Sequence, residues 1–218
     1  MAVFDVDAEA VTKAVEEAKK NSKKRKFAQS IDLTINLKEL DMTKPENRID
    51  EELVLPSGTG KPVKVGVIAE GELALQSKNV ADVVIKKDEL EKLAKDKKKA
   101  KKIVNDIDFF VAQIDLMPLV GKSMGPILGP RGKMPKPIPS NAPVTSIVER
   151  LKKTMRIKTK DQPVIKVVAG NEDMDSEKLV ENVDAILKFV ERKLERGKDN
   201  IKSVYIKTTM GQSVKIGA

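Results

Sequence analysis

Alternating apolar and polar residues near the N-terminus predict a strand with two different faces. Between Phe27 and Leu37, apolar side chains recur at every second position from Ile31 onward. A period of two places successive side chains on opposite faces of a strand. The polar positions in between are Ser30, Asp32, Thr34 and Asn36. The predicted strand therefore has one buried face and one face of short hydrogen-bonding groups, which suits either the close approach of a partner or ordinary contact with solvent.

The two ends of the chain together predict an antiparallel sheet backed by helices. Apolar residues at helical spacing, with acids first and lysines last, predict a helix over residues 5–20. A longer amphipathic helix is predicted to begin after a cap at Asp175 or Ser176 and to end at Gly197. Further strands are predicted at residues 52–55, 163–170, 201–210 and 213–216. Neither end alone makes a stable sheet, so both ends are expected to form one discontinuous domain.

The middle of the chain alternates between short apolar strands and helices. The strands are predicted at residues 63–69, 82–85 and 108–116, and the helices at residues 71–77, 87–104 and 145–155. This alternation implies a small parallel sheet covered on both faces. The expected fold class is therefore α/β, in which residues 1–61 and 156–218 form an α+β domain and residues 62–155 form an inserted Rossmann-like α/β domain.

The composition restricts the chemistry that the chain could perform. Histidine and cysteine are both absent from its 218 residues, which excludes Ser-His-Asp and Cys-His triads and the usual zinc and haem ligands. The net charge of +9 favours a polyanionic partner, and the 3% of aromatic residues disfavours the stacking of many single-stranded bases. No apolar run approaches the ~18 residues of a transmembrane helix. No strongly amphipathic basic helix with aromatic anchors is apparent either, so no membrane partner is expected. Carboxylate, lysine or bound magnesium chemistry stays open, but no single feature of the chain amounts to an active site. We expect a cytoplasmic, non-enzymatic protein without metal or cofactor that recognises folded nucleic acid by backbone and shape.

Glycine and proline are concentrated in residues 117–143, which read MPLVGKSMGPILGPRGKMPKPIPSNAP. The charged residues of this stretch are all basic, namely Lys122, Arg131, Lys133 and Lys136. Glycine permits positive φ and proline fixes φ, so we expect a sharply turned, pre-shaped loop. A long irregular loop in a compact protein is commonly functional, and a structural connector is the alternative.

Two short motifs in this stretch resemble known loops but lack the required context. The tripeptide GKS at residues 121–123 ends like a P-loop, yet Leu116 stands where that motif needs a glycine. Residues 129–132 have the GxxG form of a KH loop, but prolines rather than two helices surround them. A nucleotide- or phosphate-binding enzyme built on the Rossmann-like domain stays the alternative function.

A dense cluster of lysines lies between Lys86 and Lys102. Acidic residues are interspersed among them, so a solvated helix face is favoured over a nucleic-acid patch.

The segment LGPRGKMPKP at residues 128–137 closely resembles the signature of the "L one" family of ribosomal proteins, which forms the mobile side stalk of the large subunit. The segments KRKFAQSIDLTINL and SVYIKTTMGQSVKI continue the match over essentially the whole chain. Lys133, Lys136 and residues 138–141 are typical of the archaeal type. The resemblance implies the same two-domain architecture with an insertion.

The resemblance also implies that the terminal domain binds large-subunit rRNA. In this family a strand and a C-terminal turn grip the RNA, and the matching positions are Lys26, Phe27, Ser30, Asp32, Thr208, Thr209, Met210 and Gly211. Ser30 stands where the family often has threonine, and the hydroxyl is retained. Hydroxyls suit sugar and phosphate oxygens, and apolar side chains suit a ribose or base. Lys26 is expected to contact phosphate, and Arg156, Lys158 and Lys207 are further candidates.

Further roles follow from the same resemblance. Family members bind a similar structure in their own mRNA and repress translation, and their stalk meets tRNA near the exit site. We expect a monomer off the ribosome.

A separate hypothesis concerns the glycine- and proline-rich stretch. In the inserted domain, Gly129, Arg131, Gly132 and Lys133 are expected to form an interdomain loop whose turns set how the domains face each other. Arg131 and Lys133 are expected to contact either RNA or the other domain. A non-specific DNA-compacting protein is a third hypothesis.

Overall fold

A computed structural model describes residues 8–42, 44, 47–159 and 162–217. Residues 5–7, the beginning of the predicted N-terminal helix, lie outside this part of the chain. The chain divides into a terminal unit, residues 1–61 and 153–218, and an inserted unit, residues 62–152.

Strands and helices alternate along most of the described chain. The strands are β1 (Ser30–Leu37), β2 (Asp50–Val54), β3 (Val65–Ile68), β4 (Val83–Ile85), β5 (Phe109–Gln113), β6 (Lys136–Ile138), β7 (Thr154–Lys158), β8 (Val164–Asn171), β9 (Ile201–Thr208) and β10 (Val214–Ile216). The helices are α1 (Ala8–Lys20), α2 (Gly71–Ser77), α3 (Lys87–Lys95), α4 (Lys97–Asp106), α5 (Met117–Ser123), α6 (Gly125–Leu128), α7 (Val144–Lys152) and α8 (Ser176–Lys193). This content confirms the mixed α/β fold class.

The terminal unit contains an antiparallel sheet in the order β10-β9-β1-β8. The alternation predicted for β1 is confirmed, because Ile31, Leu33 and Ile35 are fully buried while the polar side chains between them are half-buried. The buried side chains join those of α1 and α8 in one apolar cluster. Fully burying each such side chain stabilises the fold by about 1.5–3 kcal/mol. The sheet thus has a helix-covered face and an opposite polar face.

The helix predicted over residues 145–155 is wrong at its C-terminal end. Helix α7 ends at Lys152, and Thr154 and Met155 begin β7, which pairs antiparallel with β2. Both side chains are buried, and strand pairing overrides the helical pattern of the preceding residues. Residues 153–155 therefore lie in the terminal unit, whereas the sequence pattern assigned all three to the insertion.

The inserted unit contains a parallel sheet in the order β4-β3-β5-β6. Strand β3 is buried along its whole length, as expected for a strand covered on both faces. One apolar cluster takes side chains from α3, α4, α5 and α6, and a second takes side chains from α2 and α7. The alternating strand and helix pattern of the sequence produces this arrangement.

The single helix predicted over residues 87–104 is wrong, because the helix breaks at Asp96. The carboxylate of Asp96 accepts hydrogen bonds from the backbone N–H groups of Lys98 and Lys99 at 3.2 and 3.1 Å. The same contacts, led by the one from Lys99, lower the pKa of Asp96. Aspartate competes with the helical backbone in this way and is favoured as an N-cap. Asp96 therefore ends α3 and begins α4.

The irregular loop expected over residues 117–143 is also wrong, because this stretch forms α5, α6 and β6. Pro118 and Pro126 stand in the first turns of α5 and α6, where the missing proline N–H is not needed. The GKS tripeptide lies inside α5, and the Ser123 hydroxyl donates to the Leu119 carbonyl at 2.8 Å. It therefore does not form a phosphate-binding loop.

Several predicted elements extend beyond their observed ends, among them the strand predicted over residues 201–210, which ends at Thr208. Helix α8 ends at Lys193, and Gly197, whose φ is +54°, begins a short 3-10 helix that runs to Asn200. Strand β5 ends at Gln113, and residues 114–116 form another 3-10 turn.

Candidate nucleic-acid interface

The face of the terminal sheet opposite the helices carries mainly polar side chains, which are arranged in rows across β8, β1 and β9. In the strand register, Asp32 lies between Val168 and Lys207, and the next row across the sheet is Lys166, Thr34 and Tyr205. In the third row, the Asn36 amide donates to the Ser203 hydroxyl at 3.0 Å. These three rows, called here the open face, present hydroxyl, amide and basic groups together.

A groove of about 530 Å³ crosses the open face. Its lining residues, all in the terminal unit, are Asp32, Thr34, Thr59, Met155, Arg156, Lys166, Val167, Val168 and Lys207. Burial raises the pKa of Asp32 above its ordinary value, and the charges of Lys207 and Lys61 partly oppose this effect. Both predicted residues Asp32 and Lys207 therefore meet in this groove. The turn that carries Thr59 and Lys61 was not predicted as part of the site.

Two predicted phosphate contacts, Arg156 and Lys158, are engaged by a carboxylate of the neighbouring strand. The Arg156 guanidinium donates to both Asp50 carboxylate oxygens at 2.6 and 2.8 Å, and the Lys158 Nζ lies 3.2 Å from the Asp50 Oδ2. The hydrogen bonds between Arg156 and Asp50 lower the pKa of Asp50 and raise that of Arg156. Asp50 therefore offsets part of the positive charge that these two residues would offer to RNA.

The C-terminal turn, residues 208–211, is tied to the beginning of β1. The Thr209 backbone N–H donates to the Ser30 carbonyl at 2.9 Å. The Thr209 hydroxyl accepts from the Ser30 N–H at 3.1 Å and donates to the Ser30 carbonyl at 3.2 Å. The Gly211 N–H closes the turn on the Thr208 carbonyl at 3.0 Å. Met210, at the tip of the turn, is 62% exposed.

Thr208 has a different environment from Thr209. Its side chain is fully buried. In the part of the chain that the structure describes, the Thr208 hydroxyl oxygen is the one buried side-chain polar atom that has no hydrogen-bond partner. A Cβ added to Gly211 would lie 2.2 Å from this hydroxyl oxygen, so a larger residue does not fit there. The predicted RNA contact at Thr208 is therefore inaccessible in this conformation, and Ser30, at 6% exposure, is nearly so.

A buried glutamine that the sequence did not single out joins three segments of the site. The Gln29 side-chain amide donates to the Ser22 hydroxyl at 2.8 Å, to the Lys23 carbonyl at 3.1 Å and to the Glu172 carboxylate at 3.2 Å. Its side-chain carbonyl accepts from the Met210 N–H at 3.1 Å. The Gln29 backbone N–H donates to the other Glu172 carboxylate oxygen at 2.9 Å. Gln29 thus connects the basic loop before β1, the end of β8 and the C-terminal turn.

The basic loop, residues 23–27, is exposed throughout. It carries Lys26 and ends at Phe27, whose side chain is 54% exposed. Because Gln29 holds both this loop and the backbone of Met210, the interface combines two exposed apolar side chains with a run of positive charge.

The predicted loop residues of the inserted unit contact α4. The Arg131 guanidinium donates to the Lys101 carbonyl at 3.3 Å, and the Lys133 ammonium donates to the carbonyls of Val104 and Ile107 at 3.0 and 2.5 Å. Gly129 follows α6 in helical conformation, and Gly132 has a φ of +65°. These cations therefore stabilise the C-terminal end of α4. The role expected for this segment between the domains stays a prediction.

In the described ranges, no helix has both the length and the apolar character needed to cross a bilayer. The same ranges hold no group of acidic side chains placed to bind a metal ion.

Comparison with known proteins gives a consistent result. A family model described as the ribosomal protein L1p/L10e family matches residues 12–212. The chain is 56% identical over 207 residues to "Large ribosomal subunit protein uL1" of Methanothermobacter thermautotrophicus, covering 94% of this chain and 98% of that protein. Proteins of the same name from Methanothermococcus thermolithotrophicus and Methanocaldococcus jannaschii are 56% and 52% identical over 211 residues, which is 97% of this chain and 99% and 96% of theirs.

Proposed function

The chain belongs to the ribosomal protein L1p/L10e family, and we propose that it binds large-subunit rRNA through the open face, the basic loop and the C-terminal turn. Membership makes it a structural ribosomal protein and not an enzyme. Its relatives are named as proteins of the large subunit, which places its work in the cytoplasmic ribosome.

The observation that carries the proposal is that Phe27 and Met210 are both exposed, on two segments that Gln29 joins. Both side chains are more than half exposed, and Gln29 contacts the backbone of Met210 and of the loop. Exposed apolar side chains in a basic, hydroxyl-rich surface suit packing on a ribose or base while lysines hold phosphates. The short side chains of β1 leave room for RNA to approach the backbone, whereas the missing side chain of Gly211 makes room for the Thr208 hydroxyl.

The individual residues take different parts in this proposal. Thr209 and Asp32 contact sugar hydroxyls, Lys26 and Lys207 contact phosphates, and Ser30 and Thr208 shape the surface from below. Arg156 and Lys158 are secondary contacts, because each must share its charge with Asp50.

Alanine substitution of the two exposed apolar residues tests the interface. Phe27→Ala and Met210→Ala should each weaken binding to a large-subunit rRNA fragment by roughly 1–3 kcal/mol, because apolar surface that the RNA covers is lost. Titration of labelled RNA at fixed salt measures this change. Leu75→Ala is the matched control, because Leu75 is 63% exposed but lies on α2 of the inserted unit. Equal affinity for all three variants and the unchanged protein would remove these residues from the interface.

The finer roles rest on the family resemblance. We propose that the bound rRNA forms the mobile stalk near the tRNA exit site, where the stalk contacts tRNA, and that the free protein is a monomer. We further propose that the same interface binds a similar structure in the protein's own mRNA and represses its translation. A reporter fused to that mRNA leader should be repressed by the unchanged protein and released by Met210→Ala. Repression that survives this variant would separate the two activities.

A further inference from the structure

Helix α4 presents a row of lysines that the rRNA interface does not use. Its buried side chains are Ala100 and Val104. At about 100° per residue, Lys98 and Lys102 lie opposite them and Lys101 lies on the flank of the helix, and all three are exposed. The exposed Asp106 lies one turn after Lys102. The three lysines are called here the α4 lysine face. They lie on the inserted unit, whereas the proposed rRNA interface lies on the terminal unit.

The placement of these lysines opposes formation of the helix. The first turn of α4 holds Lys97, Lys98 and Lys99 and no acidic residue, although positive charge is unfavourable at a helix N-terminus. Lys98 and Lys102 are also four residues apart, a spacing at which like charges repel. The Asp96 cap offsets part of this field, and its ion pair with Lys99, at 3.6 Å, is exposed.

Another exposed helix of the same chain pairs its lysines. On α8, Lys178 lies 2.7 Å from Asp175, Lys188 lies 2.6 Å from Asp184 and Lys193 lies 2.7 Å from Glu51. Within the described part of the chain, no such ion pair involves Lys98, Lys101 or Lys102. The sequence favoured an ordinary solvated face for this region, and on such a face lysines are expected to form ion pairs as they do on α8. The unpaired lysines of α4 instead destabilise the helix that carries them.

We propose that the α4 lysine face is a second RNA-binding surface, which takes the sugar-phosphate backbone of an RNA helix. A row of phosphates complements three unpaired lysines and relieves their mutual repulsion. No aromatic side chain occurs in α4, so the surface reads phosphate rather than stacked bases. It therefore binds without sequence preference, unlike the interface around Phe27 and Met210.

The test compares two triple variants of the full chain that lose the same charge. The first is Lys98→Gln/Lys101→Gln/Lys102→Gln, and the control is Lys178→Gln/Lys188→Gln/Lys193→Gln on α8. Each is titrated with a duplex RNA of about 20 base pairs between roughly 50 and 200 mM salt. The α4 variant should lose at least about tenfold in affinity at the lower salt, and the slope of log affinity against log salt should fall by about 2–3. The α8 variant should stay within about twofold of the unchanged chain at both salts.

Equal losses in both variants would show that net charge alone is responsible and would overturn the proposal, as would an unchanged α4 variant. Lysine acetylation gives a second readout. Duplex RNA should protect Lys98, Lys101 and Lys102 more strongly than polyglutamate does, and equal protection would indicate an acidic protein partner and overturn the RNA assignment.

Folding is checked by the thermal midpoint, which should be equal or higher in the α4 variant because repulsion is removed. If the midpoint falls instead, the charge-preserving Lys98→Arg/Lys101→Arg/Lys102→Arg variant decides: retained duplex binding supports the surface, and lost binding overturns it. The α4 variant should keep the affinity of the unchanged chain for the rRNA fragment, so failure of this surface and failure of the rRNA interface are distinguishable.

Discussion

Two neighbouring threonines in the C-terminal turn differ in what surrounds their hydroxyl groups. The Thr209 hydroxyl makes two hydrogen bonds with the Ser30 backbone, whereas the Thr208 hydroxyl is buried without a partner. A buried polar group without a hydrogen bond is unfavourable, while a satisfied one contributes to stability. The two hydroxyls are therefore expected to have opposite effects on folding.

Replacing each threonine by the similarly shaped valine tests this difference. Thr208→Val should raise the free energy of unfolding by roughly 1 kcal/mol, because the unpaired hydroxyl disappears. Thr209→Val should lower it by roughly 1–2 kcal/mol, because two hydrogen bonds are lost. Urea denaturation measures both values. RNA affinity should fall only for Thr209→Val, so a loss of affinity in Thr208→Val without a loss of stability would show that RNA contacts the Thr208 hydroxyl.

Asp32 is a single residue that makes the folding stability of the protein depend on pH. Burial raises its folded-state pKa above the ordinary value of 3.8, so the folded chain holds this proton more tightly than the unfolded chain. The contribution of Asp32 to stability therefore falls as the pH rises from 3.8 through the raised pKa. Above that window the ionised, partly desolvated carboxylate disfavours folding.

Asp32→Asn should consequently stabilise the protein at pH 7 by less than about 1 kcal/mol, because solvent screens a half-exposed carboxylate. The difference from the unchanged chain should shrink as the pH is lowered toward 4, which denaturation at several pH values measures. A difference that grows on acidification would contradict the raised pKa. If Asp32 accepts a hydrogen bond from a ribose hydroxyl, RNA affinity should fall in this variant even though stability rises.

At the scale of elements, Gln29 and Glu172 hold the basic loop, the end of β8 and the C-terminal turn in one arrangement. The side-chain amide of Gln29 donates to Glu172, to the Ser22 hydroxyl before the basic loop and to the Lys23 carbonyl within it, and it accepts from the Met210 N–H. Hydrogen bonds to a charged group contribute about 1.5–3 kcal/mol. The pair is therefore expected to position the interface without contacting RNA itself.

Gln29→Ala should lower the free energy of unfolding by roughly 2–4 kcal/mol and weaken rRNA binding about tenfold or more. Amide exchange of Met210 should also become faster, because its N–H loses an acceptor. The salt dependence of rRNA binding should not change, since no phosphate contact is removed. A reduced salt slope would contradict a positioning role. In a double-mutant cycle with Glu172→Ala, the two losses should not add, because the residues share one network.

The sequence predicted structure well where it depends on neighbouring residues and poorly where it depends on residues far apart in the chain. The alternation in β1 and the strand-helix rhythm of the insertion are local patterns, so the fold class and most elements were predictable. Strand β7 was missed because it pairs with β2, which lies about one hundred residues earlier in the chain. No local pattern of residues indicates such a distant pairing. The cap at Asp96 was missed because the lysine-rich pattern continues across it.

The site divides in the same way. Phe27, Thr209 and Met210 came from the family resemblance and not from periodicity. The role of Gln29 depends on Glu172, which is 143 residues away, so its local sequence gave no signal. The local sequence gives no sign that Arg156 and Lys158 share a carboxylate. The pairing of β2 with β7 brings Asp50 into contact with both of them.

At the scale of the whole molecule, the proposed rRNA interface belongs entirely to the terminal unit. Its sheet, its apolar cluster and every residue of the interface lie in residues 1–61 and 153–218. The terminal unit is therefore expected to fold and bind rRNA without the insertion.

Replacing residues 62–152 by a short glycine-rich linker should leave the rRNA dissociation constant within about fivefold of that of the full chain, a difference of about 1 kcal/mol. Circular dichroism checks that the shortened chain folds, and RNA titration measures affinity. A folded product that no longer binds rRNA would show that the insertion takes part in the interface. Binding to duplex RNA should be weakened in the shortened chain, because the α4 lysine face is absent.

The central position of β1 has a consequence for the protein's own synthesis. Ser30 and Thr209 close the interface together although 179 residues separate them. A growing polypeptide exposes β1 early but acquires β8 and β9 only near the end of translation, after the insertion has emerged and begun to fold. An incomplete chain therefore has no assembled interface. Only a finished copy is therefore expected to compete for rRNA, and prematurely released fragments are expected to leave that site free.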